Sequence, residues 1–100
     1  MKIRASISIT TLTTHEVAVD FNQVALTNGK GTFSVEEDER VNLFWRVRGS
    51  SGEKYTIKIE PEEGRLIMEG KHPIELAIAK GFTAGGGHRF FTLTRKPEKE

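Results

Sequence analysis

Three histidines, His15, His72 and His88, are the side chains best suited to catalysis or metal binding, and each lies in or beside a predicted turn. Imidazole titrates near neutral pH and is the commonest metal ligand in proteins. On a strand, however, His15 and Glu16 point to opposite faces, and the other two histidines have no partner at a metal-ligand spacing. The sequence therefore predicts no metal site and no cofactor, and a hydrolase built on these histidines is kept as one alternative.

Other catalytic groups are no better placed. Ser50 and Ser51 lie in a predicted turn and not in a Gly-x-Ser-x-Gly elbow. The acidic runs at 36–39 and 62–63 lie in connectors, where nothing suggests the burial that acid catalysis requires. Since the chain has no cysteine, a cysteine nucleophile, a thiolate zinc site and a disulfide are all excluded. We predict that the protein is not an enzyme.

Glycine is concentrated in the segment 81–87, GFTAGGG, which we interpret as a flexible loop. It lacks the spacing of a phosphate-binding loop and opens no predicted helix. His88 and Arg89 follow it directly, so the loop could fold around an anionic or sugar ligand. These two residues are therefore the candidate loop ligands.

The elements that would position a site are strands. Residues 41–48 and 54–60 alternate apolar and polar side chains, with Trp45 and Tyr55 in the apolar sets. A hairpin that pairs Val47 with Tyr55 keeps both apolar sets on one face and leaves Ser50 to Gly52 as its loop, with Gly52 left-handed. We predict this hairpin as the centre of the fold.

The outer face of that hairpin is the strongest candidate for binding. It would gather one aromatic and four cationic side chains, namely Phe44, Arg46, Arg48, Lys54 and Lys58. Such a surface suits an acidic protein segment, or a nucleic-acid backbone with a base on the ring. The alternative is that the cations solvate an exposed sheet while Phe44 packs under a loop.

The rest of the chain has the same period of two. In the second strand Phe21 continues the set of Val17 and Val19, and Asn28-Gly29 predicts a hairpin between residues 24–26 and 33–35. About seven or eight short strands with turns between them predict an all-β fold, a two-layer antiparallel sandwich, with a small barrel as the alternative. We expect one domain over residues 1–95 and a solvated tail over 96–100.

Trp45 adds a resemblance. A single tryptophan in a middle strand of a chain of this size resembles the immunoglobulin-like architecture. The resemblance implies that Trp45 packs between two sheets.

Composition limits the possible partners and compartments. The formal net charge is +1 over 100 residues, which argues against a dedicated nucleic-acid binder. The sequence contains no apolar run of 18 residues, so no membrane span is predicted. The N-terminal segment lacks the continuous apolar stretch of a signal peptide. These features slightly favour the cytoplasm if the chain is complete, and otherwise an exported domain cut free of its signal.

We therefore expect a non-enzymatic interaction or assembly module whose partner is an acidic protein. The alternative is a carbohydrate-binding module in which Tyr55 or Trp45 stacks on a sugar. The sequence leaves the identity of the partner and the oligomeric state open.

Overall fold

The computed structural model describes residues 1–10 and 14–96, which form nine strands and no helix. The strands are β1 (Lys2–Thr10), β2 (Thr14–Val19), β3 (Asn22–Val24), β4 (Lys30–Glu36), β5 (Val41–Arg48), β6 (Lys54–Pro61), β7 (Arg65–Met68), β8 (Ile74–Ala77) and β9 (Ala84–Thr94). No helix able to cross a membrane is found in these two ranges.

The strands form two antiparallel sheets packed face to face. One has the order β4-β1-β6-β8 and the other the order β3-β2-β5-β9-β7. Alternate residues of both sheets are buried between them, as with Ile3, Ile7, Leu43, Ile57 and Phe91. The predicted all-β, two-layer sandwich is confirmed, with nine strands instead of seven or eight.

The predicted central hairpin is wrong, because β5 and β6 belong to different sheets. β5 pairs with β2 and β9, whereas β6 pairs with β1 and β8. Their inward side chains meet across the core: the indole Nε1 of Trp45 donates a hydrogen bond to the hydroxyl of Tyr55 at 3.1 Å. A strand with one buried face shows the same alternation of apolar and polar residues in either of two arrangements. It can pair with the next strand in one sheet, or face that strand across the core from a second sheet. The sequence pattern therefore could not distinguish a β5–β6 hairpin from β5 and β6 in opposing sheets.

Two local features predicted for this region are nevertheless present in the structure. Trp45 is 1% exposed between the sheets, as the resemblance implied. Gly52 is left-handed, with φ of 79°, although the turn that contains it connects two sheets instead of two neighbouring strands. Turn chemistry therefore predicted the local backbone correctly and the pairing incorrectly.

The Asn28-Gly29 turn also forms without the predicted ladder. Both residues are left-handed, with φ of 55° and 78°, and Thr27 and Lys30 pair across them. Beyond this bridge β3 pairs with β2 and β4 pairs with β1. The two strands diverge into opposite sheets, where Val24 and Val35 are both buried.

The predicted glycine loop is largely a strand. β9 begins at Ala84, and Gly85, Gly86 and Gly87 pair with β5. A Cβ on Gly87 would lie 2.9 Å from Cζ2 of Trp45, so the absence of a side chain gives the indole its space. Here glycine serves core packing and not loop flexibility.

Arg95 fastens one end of the sandwich. Its guanidinium donates to both carboxylate oxygens of Glu63 at 2.9 Å, to Glu37 at 2.7 Å and to the carbonyl of Lys2 at 3.0 Å. Lys96, the first residue of the predicted solvated tail, has an exposed side chain whose Nζ lies 3.8 Å from the Asp38 carboxylate. Residues 97–100 lie outside the described ranges, and the domain boundary at 95 stays a prediction.

Candidate functional site

The predicted basic face is divided between the two sides of the molecule. Phe44, Arg46 and Arg48 point outward from β5 in the five-stranded sheet. Lys54 and Lys58 point outward from β6 in the four-stranded sheet, with the whole core between the two groups. The five residues do not form one surface, because the hairpin that would have joined them does not exist.

The candidate loop ligands are separated as well. His88 and Arg89 are consecutive residues of β9, so their side chains leave opposite faces of the sheet. His88 is opposite Phe44 on the outer face, whereas Arg89 is opposite the buried Leu43 and reaches towards Gly70. The prediction of a shared loop site is wrong, and His88 instead joins the surface around Phe44.

The outer surface of the five-stranded sheet carries several exposed large apolar side chains. Phe21, Phe44 and Ile67 are 88%, 41% and 43% exposed. We call this surface the aromatic face, formed by Ala18, Phe21, Phe44, Arg46, Arg48, Ile67, His88 and Phe90. It combines the kinds of side chain that are enriched at the centres of protein interfaces.

Part of this face is already covered. The guanidinium carbon of Arg40 lies 3.8 Å from the ring centroid of Phe90, and its nitrogens donate to both oxygens of Glu69 at 2.7 and 2.9 Å. The edge of His88 meets Phe90 with the ring centroids 6.0 Å apart. Phe90 is therefore held in place as a platform, while Phe44 and Phe21 keep free surface.

Phe21 lies at the tip of the β2–β3 turn and was missed as a surface residue. Asp20 and Phe21 have φ of 51° and 68°, a turn that glycine and asparagine usually occupy. The left-handed backbone costs a side-chain-bearing residue roughly 1–2 kcal/mol. Such a residue is retained where surrounding structure or function favours it, and this one exposes an aromatic ring.

The turn itself is fastened to β5. The amide of Asp20 donates to the carbonyl of Asn42 at 2.8 Å, and the amide of Asn42 donates to the Asp20 carboxylate at 3.2 Å. The flanking pair of Asp20 and Asn22 was the available sequence signal, since both side-chain types favour turns. The predicted second strand included Phe21 in its apolar set, so the turn at Asp20 and Phe21 was not recognised.

A groove of about 140 Å³ separates Phe21 from Phe44. Ala18, Gln23 and Arg46 also line it. This groove is open to solvent, and its volume is close to the roughly 150 Å³ of an enclosed cavity that holds benzene, so there is space in it for one apolar side chain of a partner.

Two charged side chains, Arg46 and Glu16, line the groove, and Arg48 lies on the same outer face of β5. Arg46 lies 3.9 Å from Glu16, and both side chains are more than half exposed, so this pair contributes little to stability. Arg48 has no ion pair with any residue of 1–10 or 14–96. Both guanidinium groups are therefore accessible to a carboxylate.

The other two histidines lie away from the aromatic face. His15 is on the inner side of β2, and its Nδ1 is buried with no hydrogen-bond partner in the described residues. His72 lies beside β6 in the other sheet. Within the described part of the chain, no three acidic or histidine side chains are grouped as a metal site would require.

His72 has a structural function. Its Nε2 accepts a hydrogen bond from the buried amide of Ile59 at 3.0 Å, one step beyond the Ile57–Ile74 pair of the β6–β8 ladder. The imidazole thus replaces a backbone carbonyl that β8 does not supply. Burial, and secondarily the charge of Lys58, lowers the pKa of His72 against the opposing effect of Glu60.

We expect the free energy of unfolding to fall as the pH drops below about 6.5, the value for an unfolded histidine. The lowered pKa of His72 means that the unfolded chain binds this proton more readily, so stability is complete above that pH and is lost below it. The loss should reach about 1 kcal/mol, the contribution of one hydrogen bond, in urea unfolding followed against pH.

The matched variants are His72→Gln, which offers an acceptor that does not titrate, and His88→Gln on the aromatic face. The first should flatten the pH dependence near neutrality and the second should leave it unchanged. Hydrogen bonds from Arg95 and Arg40 hold the pKa values of Glu63 and Glu69 below their usual range, so these carboxylates titrate in a lower window. Equal pH dependence in His72→Gln and the parent protein would contradict the assignment.

Comparisons with protein-family models, with curated proteins and with solved structures give no match for this chain.

Proposed function

We propose that this protein is a non-enzymatic interaction module that binds an acidic protein segment through the aromatic face. The proposal keeps Phe44, Arg46 and Arg48 from the predicted site, adds Phe21, and omits the two lysines of β6. The observation that carries it is the groove between two exposed phenylalanines, bordered by arginine. An immunoglobulin-like relationship is part of the same proposal and rests on Trp45 between the sheets.

The binding mode follows from the two kinds of side chain. One apolar residue of the partner enters the groove, and neighbouring carboxylates meet Arg46 and Arg48. Burying a phenylalanine contributes about 1.5–3 kcal/mol, whereas exposed arginines mainly affect the association rate and the orientation. The apolar contact should therefore provide most of the affinity and the arginines most of the selectivity.

The carbohydrate alternative required Trp45 or Tyr55 to be exposed. Trp45 and Tyr55 are 1% and 4% exposed and hydrogen-bond to each other inside the core. Neither ring can stack on a sugar. Phe21, Phe44 and Phe82 are exposed rings in the described residues, and the first two border the groove beside Arg46.

Two charge-reversed variants test the proposal against a peptide library containing apolar residues flanked by Asp and Glu. Arg46→Glu with Arg48→Glu alters the aromatic face. Lys54→Glu with Lys58→Glu alters the opposite face and changes the net charge equally. We expect the arginine variant to weaken binding of the selected peptides by at least about tenfold, or 1.4 kcal/mol, in a fluorescence titration, and the lysine variant to bind like the parent.

Equal weakening by both variants would mean that net charge alone attracts the peptides, and it would overturn the proposed face. The same conclusion would follow if Phe21→Ser left the affinity unchanged. Phe21 is 88% exposed, so replacing it removes little packing from the folded protein.

A further inference from the structure

β4 is the longest edge strand in the described fold. It has seven residues and pairs only with β1, whereas the other edge strands, β3, β7 and β8, have three, four and four residues. Edge strands can pair with another chain unless charge, proline, a bulge or a covering segment prevents it. β4 contains no proline, and its two charged residues are at its ends.

The hydrogen bonds of β4 define its free backbone groups. Ile9 donates to the carbonyl of Gly29 and Glu37 donates to the carbonyl of Met1, both at 2.8 Å and both in the β1–β4 register. Hydrogen-bonded pairs alternate along an antiparallel ladder, so every second residue, including Phe33, points its amide and carbonyl towards β1.

The intervening residues, Thr32, Ser34 and Glu36, point their amides and carbonyls away from the sheet. At the end of the strand the corresponding groups of Lys30 are already bonded to Thr27, at 3.0 and 2.8 Å. The free edge is therefore a five-residue segment with three residues available for pairing.

A groove of about 420 Å³ lies beside this edge, and apolar and polar side chains line it together. Phe33 and Val35 line it from β4, and Val24 and Val41 line it from the opposite sheet. Phe33 is only partly buried, and its ring meets Phe91 edge to face with the centroids 5.9 Å apart. A strand added to β4 would cover this groove with alternate side chains.

We propose that β4 pairs antiparallel with β4 of a second copy of this chain, with Ser34 on the two-fold axis. In this register Ser34 faces Ser34 of the second copy and Thr32 faces its Glu36. All three free residues are then paired on both chains. Shifting the register by two residues in one direction would place Lys30, whose groups are occupied, opposite Glu36. Shifting it in the other direction would place Asp38, whose amide already donates to the carbonyl of Leu93 at 2.8 Å, opposite Thr32.

The side chains favour the same register. On the inner side Phe33 faces Val35 of the second copy, an aromatic and β-branched pair that occurs twice and covers both grooves. On the outer side Lys30 lies diagonal to Glu36 of the second copy, and no like charges are directly opposite. A surface that is complementary to itself in hydrogen bonds, shape and charge fits a second copy of the chain.

Disulfide trapping tests the register directly because the chain has no cysteine. Hydrogen-bonded antiparallel pairs have Cα atoms about 5.5 Å apart, a separation that a disulfide bridges. Ser34→Cys should give a covalent dimer rapidly under mild oxidation. The control is Glu75→Cys on β8, the other edge of the same sheet, which should cross-link at least about tenfold more slowly because no pairing holds it.

Sedimentation equilibrium supplies the second measurement. The amide of Ser34 points away from β1, so Ser34→Pro removes a donor only from the free edge. Glu75→Pro is its match: Ile78 donates to Glu53 at 2.8 Å, and the alternation places the amide of Glu75 on the free edge of β8. The parent protein and Glu75→Pro should dimerise with similar affinity, and Ser34→Pro should be monomeric at the same concentration.

Equal cross-linking rates for the two cysteine variants would overturn the proposal. So would a parent protein that sediments as a monomer at every concentration, which would leave the edge to a strand from another protein. If circular dichroism shows that Ser34→Pro has not folded, the cysteine pair and the sedimentation of the parent protein decide the question.

Discussion

Replacing Gly87 by alanine is expected to lower the free energy of unfolding by about 1–3 kcal/mol, the usual cost of overpacking a core. The added Cβ would lie 2.9 Å from Cζ2 and 3.3 Å from Cε2 of Trp45. The indole is 1% exposed and hydrogen-bonded to Tyr55, so it cannot turn aside without further losses. Urea unfolding followed by tryptophan fluorescence measures the effect.

Gly85→Ala is the matched control, on the same strand and the same face. A Cβ there would meet Val47 and Ile78 at 3.8 and 3.9 Å, which is ordinary van der Waals contact. This variant should be neutral or stabilise by up to about 1 kcal/mol, because glycine loses more backbone entropy on folding. If both substitutions destabilise equally, glycine is required there for backbone reasons and not for the indole.

Tyr55→Phe is expected to cost about 1–3 kcal/mol, although it makes the core more apolar. The hydroxyl of Tyr55 accepts the hydrogen bond of Trp45 Nε1 at 3.1 Å, and both residues are buried. Without that acceptor the indole N–H of Trp45 has no hydrogen-bond partner in the core, where it cannot donate to water. Thermal and urea unfolding followed by circular dichroism give the change.

A double-mutant cycle with Trp45→Phe isolates the hydrogen bond from the packing. Trp45→Phe removes the donor and leaves a cavity, so it is destabilising by itself. Once the donor is absent, Tyr55→Phe should cost less than it does in the parent protein. Strictly additive effects would show that the contact between the two sheets contributes through packing alone.

The two proposed surfaces adjoin each other, because Gln23 lines both the groove beside β4 and the groove between Phe21 and Phe44. The aromatic face belongs to the five-stranded sheet, whereas the β4 edge belongs to the four-stranded sheet. A dimer formed through β4 would carry two copies of the acidic-segment site, one on each chain. Linked sites of this kind raise the apparent affinity for a partner with repeated motifs.

The residues of the binding site show the limits of the sequence pattern. Phe44, Arg46 and Arg48 could be assigned to one outer face because they alternate with buried residues on one strand. Adding Lys54 and Lys58 required a pairing partner, and alternation contains no information on which strand lies beside which. Phe21 was assigned to the core because the alternation was continued past Val19, where the strand ends.

Local sequence pattern was sufficient to predict the all-β class, the buried side of each central strand, and the turns at Asn28-Gly29 and Gly52. These features depend on the period of two and on the conformational preferences of neighbouring residues, which are local. Three other features emerged from the packing of the whole chain: β5 and β6 lie in opposing sheets, Gly87 makes room for Trp45, and β4 is a free edge among the described strands. These features depend on contacts between residues far apart in the chain, and the same local pattern is compatible with several such arrangements.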